Sequence, residues 1–198
     1  MTETSGSSTR KIIVEVGPGN LPIHRLSPVI LEEGSIYVGI DNNGDIFKNT
    51  LQKYYRVGGE IIGDLTRLPL QTESVDEAWL LNVFGEYAAR RLPFYSVVYK
   101  DSNNRPVLST SIMIFLKETA RVLKLGGKAY IGEYYTPAAF LTEVDFKNFG
   151  LDSEVFSGDR IKDFLKRHGL DKIEEIWGRN LTEDNFHESF FLVLTKNP

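Results

Sequence analysis

Two glycines, Gly17 and Gly19, follow a β-branched run in the stretch VEVGPGNLP (14–22). Glycine accepts backbone conformations and close approaches that a Cβ forbids. In an open α/β sheet, ligands come against bare main chain of this kind, beyond the carboxyl end of a strand. Two carboxylates continue the pattern: Asp41 closes the run IYVGID, and Asp64 follows EIIG. A carboxylate ending a second strand can accept both hydroxyls of a ribose. One placed after a third strand, or the amide beside it, can meet an adenine edge. A tight turn without a ligand would account for the glycines alone. Three successive strand ends carrying such groups suit an adenosine. A dinucleotide fingerprint places a third glycine where Pro22 stands. Pro18 and Pro22 also lack the amide donors that a pyrophosphate takes at a helix start, so NAD and FAD are disfavoured.

The elements that must hold these residues are legible as alternating strand and helix periods, the pattern of parallel βαβ units. Ile12–Val16, Ile36–Ile40, Glu60–Ile62, Ala78–Leu81 and Lys128–Gly132 are expected as strands. A helix is expected around Ser27–Pro28, and Asp45–Tyr55 has an amphipathic face of Ile46, Phe47, Leu51 and Tyr54. In a third helix, Ile112, Phe115, Leu116, Thr119, Ala120 and Leu123 share a stripe ended by Gly126 and Gly127. Ser157–His168 is expected to be a fourth, terminated by Gly169. Two final strands, Lys172–Trp177 and Ser189–Thr195, should pair as an antiparallel hairpin. The sum is an α/β fold with a single doubly wound, mostly parallel seven-stranded sheet. One domain over 11–198 is expected, after a disordered N-terminus at 1–10, with lid-like insertions at about 88–108 and 136–156.

Composition narrows the functions open to this chain. With 27 acidic and 23 basic residues the formal net charge is -4, and no run of lysine and arginine makes the basic face of a nucleic-acid binder. The sequence contains no cysteine, which removes disulfides, thiolate nucleophiles and cysteine-bound zinc. No apolar run reaches the roughly 20 residues of a membrane span, and MTETSGSSTR lacks a signal-peptide core. A cytoplasmic location without membrane contact is the expectation. Glu183, Asp184 and His187 read as a solvated polar loop, so no metal is expected.

Taken in order, the motifs resemble those of the class I S-adenosylmethionine-dependent methyltransferases from about residue 11 to the end. VEVGPGN resembles the family's first motif, with Glu15 as its acid and Gly17, Pro18 and Gly19 as the turn around the methionine part of the cofactor. YVGIDNN resembles the second, with Asp41 as ribose ligand and Asn42 beside it. IIGDLTRLPLQTESVDEAWLLNVFGEY resembles the third and fourth, with Asp64 and Leu65 at the adenine and Asn82 beneath the cofactor. ARVLKLGGKAYIGEY resembles the helix, double-glycine turn and fifth strand. The resemblance implies a Rossmann-like methyltransferase fold and S-adenosylmethionine as cofactor. Two departures stand out: Leu21 replaces the usual third glycine, and Gly85-Glu86-Tyr87 stands where many small-molecule members carry a histidine.

Methyl transfer needs chiefly an aligned nucleophile, and a general base where the acceptor is an oxygen of high pKa. The sequence does not name that base. Catalytic candidates at strand carboxyl ends are Glu86, Tyr87, Glu133 and Tyr134. His187 is a further candidate, although a hairpin-loop histidine on the surface is its plainer reading. Tyr87, Tyr134 and Tyr135 are expected to wall a substrate pocket. No NPPY-like sequence follows the fourth strand, and cytosine C5 chemistry would need a cysteine. A small-molecule acceptor is therefore expected. The alternatives are a protein or RNA acceptor, or a non-catalytic methyltransferase-like partner subunit; a dinucleotide oxidoreductase ranks last.

Overall fold

A strand buried on both faces carries apolar residues at successive positions, and each parity of the strand feeds a different core. In the computed structural model, residues 10–17, 34–41, 59–81, 83, 98–100, 102, 106–108, 110–133, 141–142, 144–170 and 189–198 are described. Their elements are β1 (Ile12–Val16), β2 (Ile36–Asp41), β3 (Gly59–Ile62), β4 (Val75–Leu81), β5 (Val98–Lys100), β6 (Pro106–Leu108), α1 (Thr110–Val122), β7 (Leu123–Glu133), β8 (Leu151–Ser157), α2 (Asp159–Arg167) and β9 (Phe190–Lys196). On one face of the sheet Val14, Val16, Ile40, Ala78, Leu80, Ala129 and Ile131 pack with Ile112, Phe115 and Leu116 of α1. On the other, Ile13, Tyr37, Trp79, Tyr130 and Phe191 pack with Ile161, Phe164 and Leu165 of α2. The rings of Trp79 and Tyr130 stack with centroids 4.0 Å apart.

The sheet has seven strands in the order β3-β2-β1-β4-β7-β9-β8. β3, β2, β1, β4 and β7 run parallel, and β9 is antiparallel to both β7 and β8. The chain begins mid-sheet, steps outward to β3, then returns to β4 on the other side of β1. Between β1 and β4 the strand order therefore reverses, which is where an α/β sheet opens a crevice for a ligand.

α2 ends as its sequence predicts. Gly169 has φ +62°, its N–H donates to Lys166 O, and Leu170 N–H reaches back to Leu165 O at 2.8 Å. Those are the two bonds of a Schellman cap, and Leu170 completes it by burying its side chain.

The antiparallel closure is present, with a different outer strand. Ser157 pairs with Phe190 and Leu151 with Lys196, so β8 occupies the edge and α2 lies between the paired strands in sequence. Lys172–Trp177 falls outside the described residues. β8 reads LDSEVFS, burying Leu151 and Phe156 while Asp152, Ser153 and Glu154 face water. Edge strands carry such charges because an apolar edge would recruit other strands, and the charges hide the strand from a periodicity search. The expected lid segment 136–156 thus ends inside the sheet. Ahead of β8, a 3-10 turn at Phe146–Phe149 is capped by Asp145, with Leu141 and Phe146 in the core. Within 88–108, β5 and β6 form a short antiparallel ribbon. The helices expected at Pro28 and Asp45–Tyr55, and all of the N-terminal tail except Arg10, lie outside the described residues.

Candidate functional site

β1 and β2 run in register, Val16 opposite Ile40, so Gly17 and Asp41 stand at neighbouring strand tips. The Gly17 N–H donates to Ile40 O at 2.8 Å, extending the ladder by one bond. Gly17 then turns with φ +69°, a region in which an L side chain strains the backbone. A Cβ there would come within 3.2 Å of Val83 Cγ2. Val83 lies two residues beyond β4, on the far side of the point where the strand order reverses. At Gly17 the protein itself therefore leaves little room for a side chain, because Val83, just past β4, stands against it.

Asp41 ends β2 and is 8% exposed. Its carbonyl accepts the Gly63 N–H at 3.0 Å, which ties the chain leaving β3 to the tip of β2. Gly63 has no room for a side chain, since a Cβ would lie 2.9 Å from Ile40 Cγ2 and 3.0 Å from Pro69 Cδ. Asp64 follows in a tight turn. Its Oδ1 accepts from Thr66 N at 2.7 Å and from Thr66 Oγ1 at 2.8 Å, and Arg67 N–H donates to its carbonyl at 3.0 Å. This is an Asx turn, and it engages one of the oxygens that the sequence assigns to an adenine edge. Leu65 packs against the α1-side core.

Glu15 is 1% exposed and accepts a hydrogen bond from the Tyr37 hydroxyl. A buried carboxylate needs such donors. Glu133, at the end of β7, is fully buried opposite Phe190. Among the predicted site residues the structure thus brings together Glu15, Gly17, Asp41, Asp64 and Leu65 at the ends of β1, β2 and β3. Glu133 stands two strands away, at the end of β7. Pro18, Gly19, Asn42, Asn82, Glu86, Tyr87, Tyr134, Tyr135 and His187 lie outside the described residues. Tyr37, Gly63 and Val83 were missed by the sequence reading; for Gly63 the signal was its position directly between β3 and Asp64.

Among the described residues no group of three or more His, Asp or Glu gathers in a way that could hold a metal ion, and no helix is long and apolar enough to cross a membrane.

No family model matches the sequence, and no curated protein matches it in sequence. Solved structures do match in fold. A chain from the structure titled "Complex between the Haloferax volcanii Trm112 methyltransferase activator and the putative methyltransferase" aligns with TM-score 0.56 at 17% identity, over 96% of this chain and 84% of that one. The aminoglycoside resistance methyltransferase NpmB1 aligns with TM-score 0.57 at 18% identity, over 96% and 89%. The plantazolicin methyltransferase BamL, solved with a triazolic desmethylPZN analog and SAH, aligns with TM-score 0.59 at 11% identity, over 94% and 77%. With the strand order above, they establish that this chain has the Rossmann-like α/β fold of the class I S-adenosylmethionine-dependent methyltransferases.

Proposed function

We propose that this protein binds S-adenosylmethionine across the ends of β1, β2 and β3 and transfers its methyl group to a small-molecule acceptor. The observation that carries the reading is the placement of Gly17, just past β1, and Asp41, the last residue of β2, at adjacent strand tips beside the point where the strand order reverses. The residues fit the cofactor in kind. Gly17 offers main chain free of a side chain where the methionine portion would pass. Asp41 offers a carboxylate for the two ribose hydroxyls, and the Asp64–Leu65 turn offers main chain and an apolar side chain to the adenine. When bound, the cofactor supplies an electrophilic sulfonium methyl. The protein's own part is then to orient an acceptor for in-line attack, and orientation of this kind contributes about 7–11 kcal/mol in favourable intramolecular cases. Fixed site geometry at the strand ends, on a sheet packed from both faces, suits that task.

Calorimetry with S-adenosylmethionine, S-adenosylhomocysteine and NAD side by side tests the reading. Binding of the first two but not the third is expected; preference for NAD, or binding of none, overturns it. Methyl-tritiated cofactor in cell extract then separates acceptors, label in the small-molecule fraction being the expected result and label in protein or RNA the alternative. One neighbour favours a second reading: the Haloferax volcanii structure is a complex with the Trm112 methyltransferase activator. On that reading the chain binds the cofactor but turns over only with a partner subunit.

A further inference from the structure

We infer that Glu118 and Arg121 of α1 are positioning residues for the adenine end of the cofactor site, acting through the loop that joins β3 to β4. The inference rests on the reading above and extends it to Glu118 and to Arg121, which the resemblance places in the ARVLKLGG stretch without assigning it to the cofactor. Loop main chain must find partners for its N–H and C=O groups, and here one helix supplies them. Glu118 Oε2 accepts from Leu68 N at 3.0 Å. Arg121 donates through Nη2 to Leu68 O at 3.0 Å and through Nη1 to Leu70 O at 2.8 Å. The two side chains are locked to each other, with Arg121 Nε on Glu118 Oε1 at 2.8 Å and Nη2 on Oε2 at 2.8 Å. The hydrogen bond from Arg121 holds the Glu118 carboxyl below its ordinary range, with burial opposing it. A planar guanidinium paired to a carboxylate at two points is pre-organised, so the carbonyls of Leu68 and Leu70 are held at fixed positions.

The consequence travels back along the loop. Pro69, between the two gripped carbonyls, lies where it would meet a Cβ at Gly63, and Gly63 is bonded to the Asp41 carbonyl. At the far end of the loop Glu73 N donates to Arg121 O and Ser74 N to Val122 O, both at 2.9 Å, and Lys196 Nζ pairs with Glu73 Oε1 at 3.1 Å. The turn carrying Asp64 and Leu65 is therefore suspended between the tip of β2 and the fork on α1. Apolar burial of Leu68 would keep the loop on the protein without setting its register. The fork sets the register, and with it the distance from Asp41 to the Asp64–Leu65 turn.

The test uses the full chain and two probes, S-adenosylhomocysteine and S-inosylhomocysteine, which differ only on the adenine edge. Arg121→Ala should raise the dissociation constant for S-adenosylhomocysteine about tenfold or more and bring the affinity ratio of the two probes towards unity. Arg121→Lys keeps the charge without the fork and should behave as Arg121→Ala. Lys124→Ala, which breaks the pair with Asp76 at 2.7 Å near the amino ends of β1 and β4, controls for lost stability and should leave the ratio unchanged. An unchanged ratio in both Arg121 variants overturns the inference while leaving the cofactor reading intact. Failure of the wild type to bind S-adenosylhomocysteine overturns both. If the Arg121 variants do not fold, Glu118→Gln reads the same ratio, and retention of wild-type discrimination there also overturns the inference.

Discussion

The phenol of Tyr37 on β2 donates a hydrogen bond to Oε2 of Glu15 on β1, two residues before the turn at Gly17. Both residues are nearly inaccessible to solvent. A buried carboxylate that loses a donor keeps its desolvation cost and loses part of the compensation. Tyr37→Phe retains the ring in its core and removes only the hydroxyl. It should destabilise the protein by about 1.5–3 kcal/mol, the range for hydrogen bonds to charged groups. Urea unfolding with an unchanged m-value measures this; a midpoint equal to that of the wild type would show that the hydroxyl does not support Glu15.

Asp41 makes the cofactor assignment quantitative. Gly63 bonds the carbonyl of Asp41, not its side chain, so Asp41→Ala leaves that link in place and removes the carboxylate. Two ribose hydroxyls sharing a charged acceptor imply a loss of about 1.5–3 kcal/mol, or roughly a 10- to 150-fold weaker affinity for S-adenosylhomocysteine. Equal affinity in calorimetry would remove the ribose from this strand tip.

At Gly17 two separate penalties can be measured apart. An alanine there must adopt the left-handed region at φ +69°, costing about 1 kcal/mol, and must displace Val83 Cγ2 from 3.2 Å. Gly17→Ala should therefore be destabilised and bind S-adenosylhomocysteine weakly. In the double variant with Val83→Ala the contact is relieved while the backbone strain persists. Unfolding free energies of the four proteins form a cycle, and a favourable coupling is expected. Strict additivity would mean that Val83 does not close over the turn.

The same physics decides what could be read in the sequence. β1, β2 and the second half of β4 announce themselves because burial on both faces requires apolar-rich runs, and the stripe of α1 because one helix face must match the sheet. Leu123 and the Gly126-Gly127 pair, expected as its last turn and its stop, belong instead to β7. β8 does not, because an edge strand protects itself with Asp152 and Glu154. Gly17, Asp41 and Asp64 were legible as a set because strand order in a parallel sheet brings successive carboxyl ends together. The Asp-Leu-Thr spacing also suits the turn in which the Asp64 side chain bonds Thr66, a use that the expectation of Asp64, or the amide beside it, at an adenine edge did not include. The role of the Glu118–Arg121 fork is not legible, although Arg121 stands in the ARVLKLGG stretch, since side chains that bond main chain about fifty positions away are recorded only in three dimensions.

His168 gives a pH-dependent test of the α2 side of the core. It caps α2 and packs its ring 4.5 Å from Phe164, 5.4 Å from Tyr130 and 6.1 Å from Trp79, centroid to centroid. A helix C-terminus favours a cationic histidine, yet burial against these rings dominates and lowers its pKa below the ordinary 6.5. Glu77 opposes the shift, and Arg167, Lys128 and Lys11 reinforce it. A base with a folded pKa below its unfolded one binds protons preferentially when unfolded. Its contribution to stability is thus complete above pH 6.5 and is lost as the pH falls through the window down to the lowered value. His168→Gln should flatten that part of the stability profile while leaving the carboxylate-driven loss at lower pH in place. The other two histidines, His24 and His187, are unchanged in the variant, so the difference between the two profiles isolates His168. An identical slope in wild type and variant below pH 6.5 would mean that the imidazole is hydrated in the folded state and that the aromatic packing around it does not exclude water.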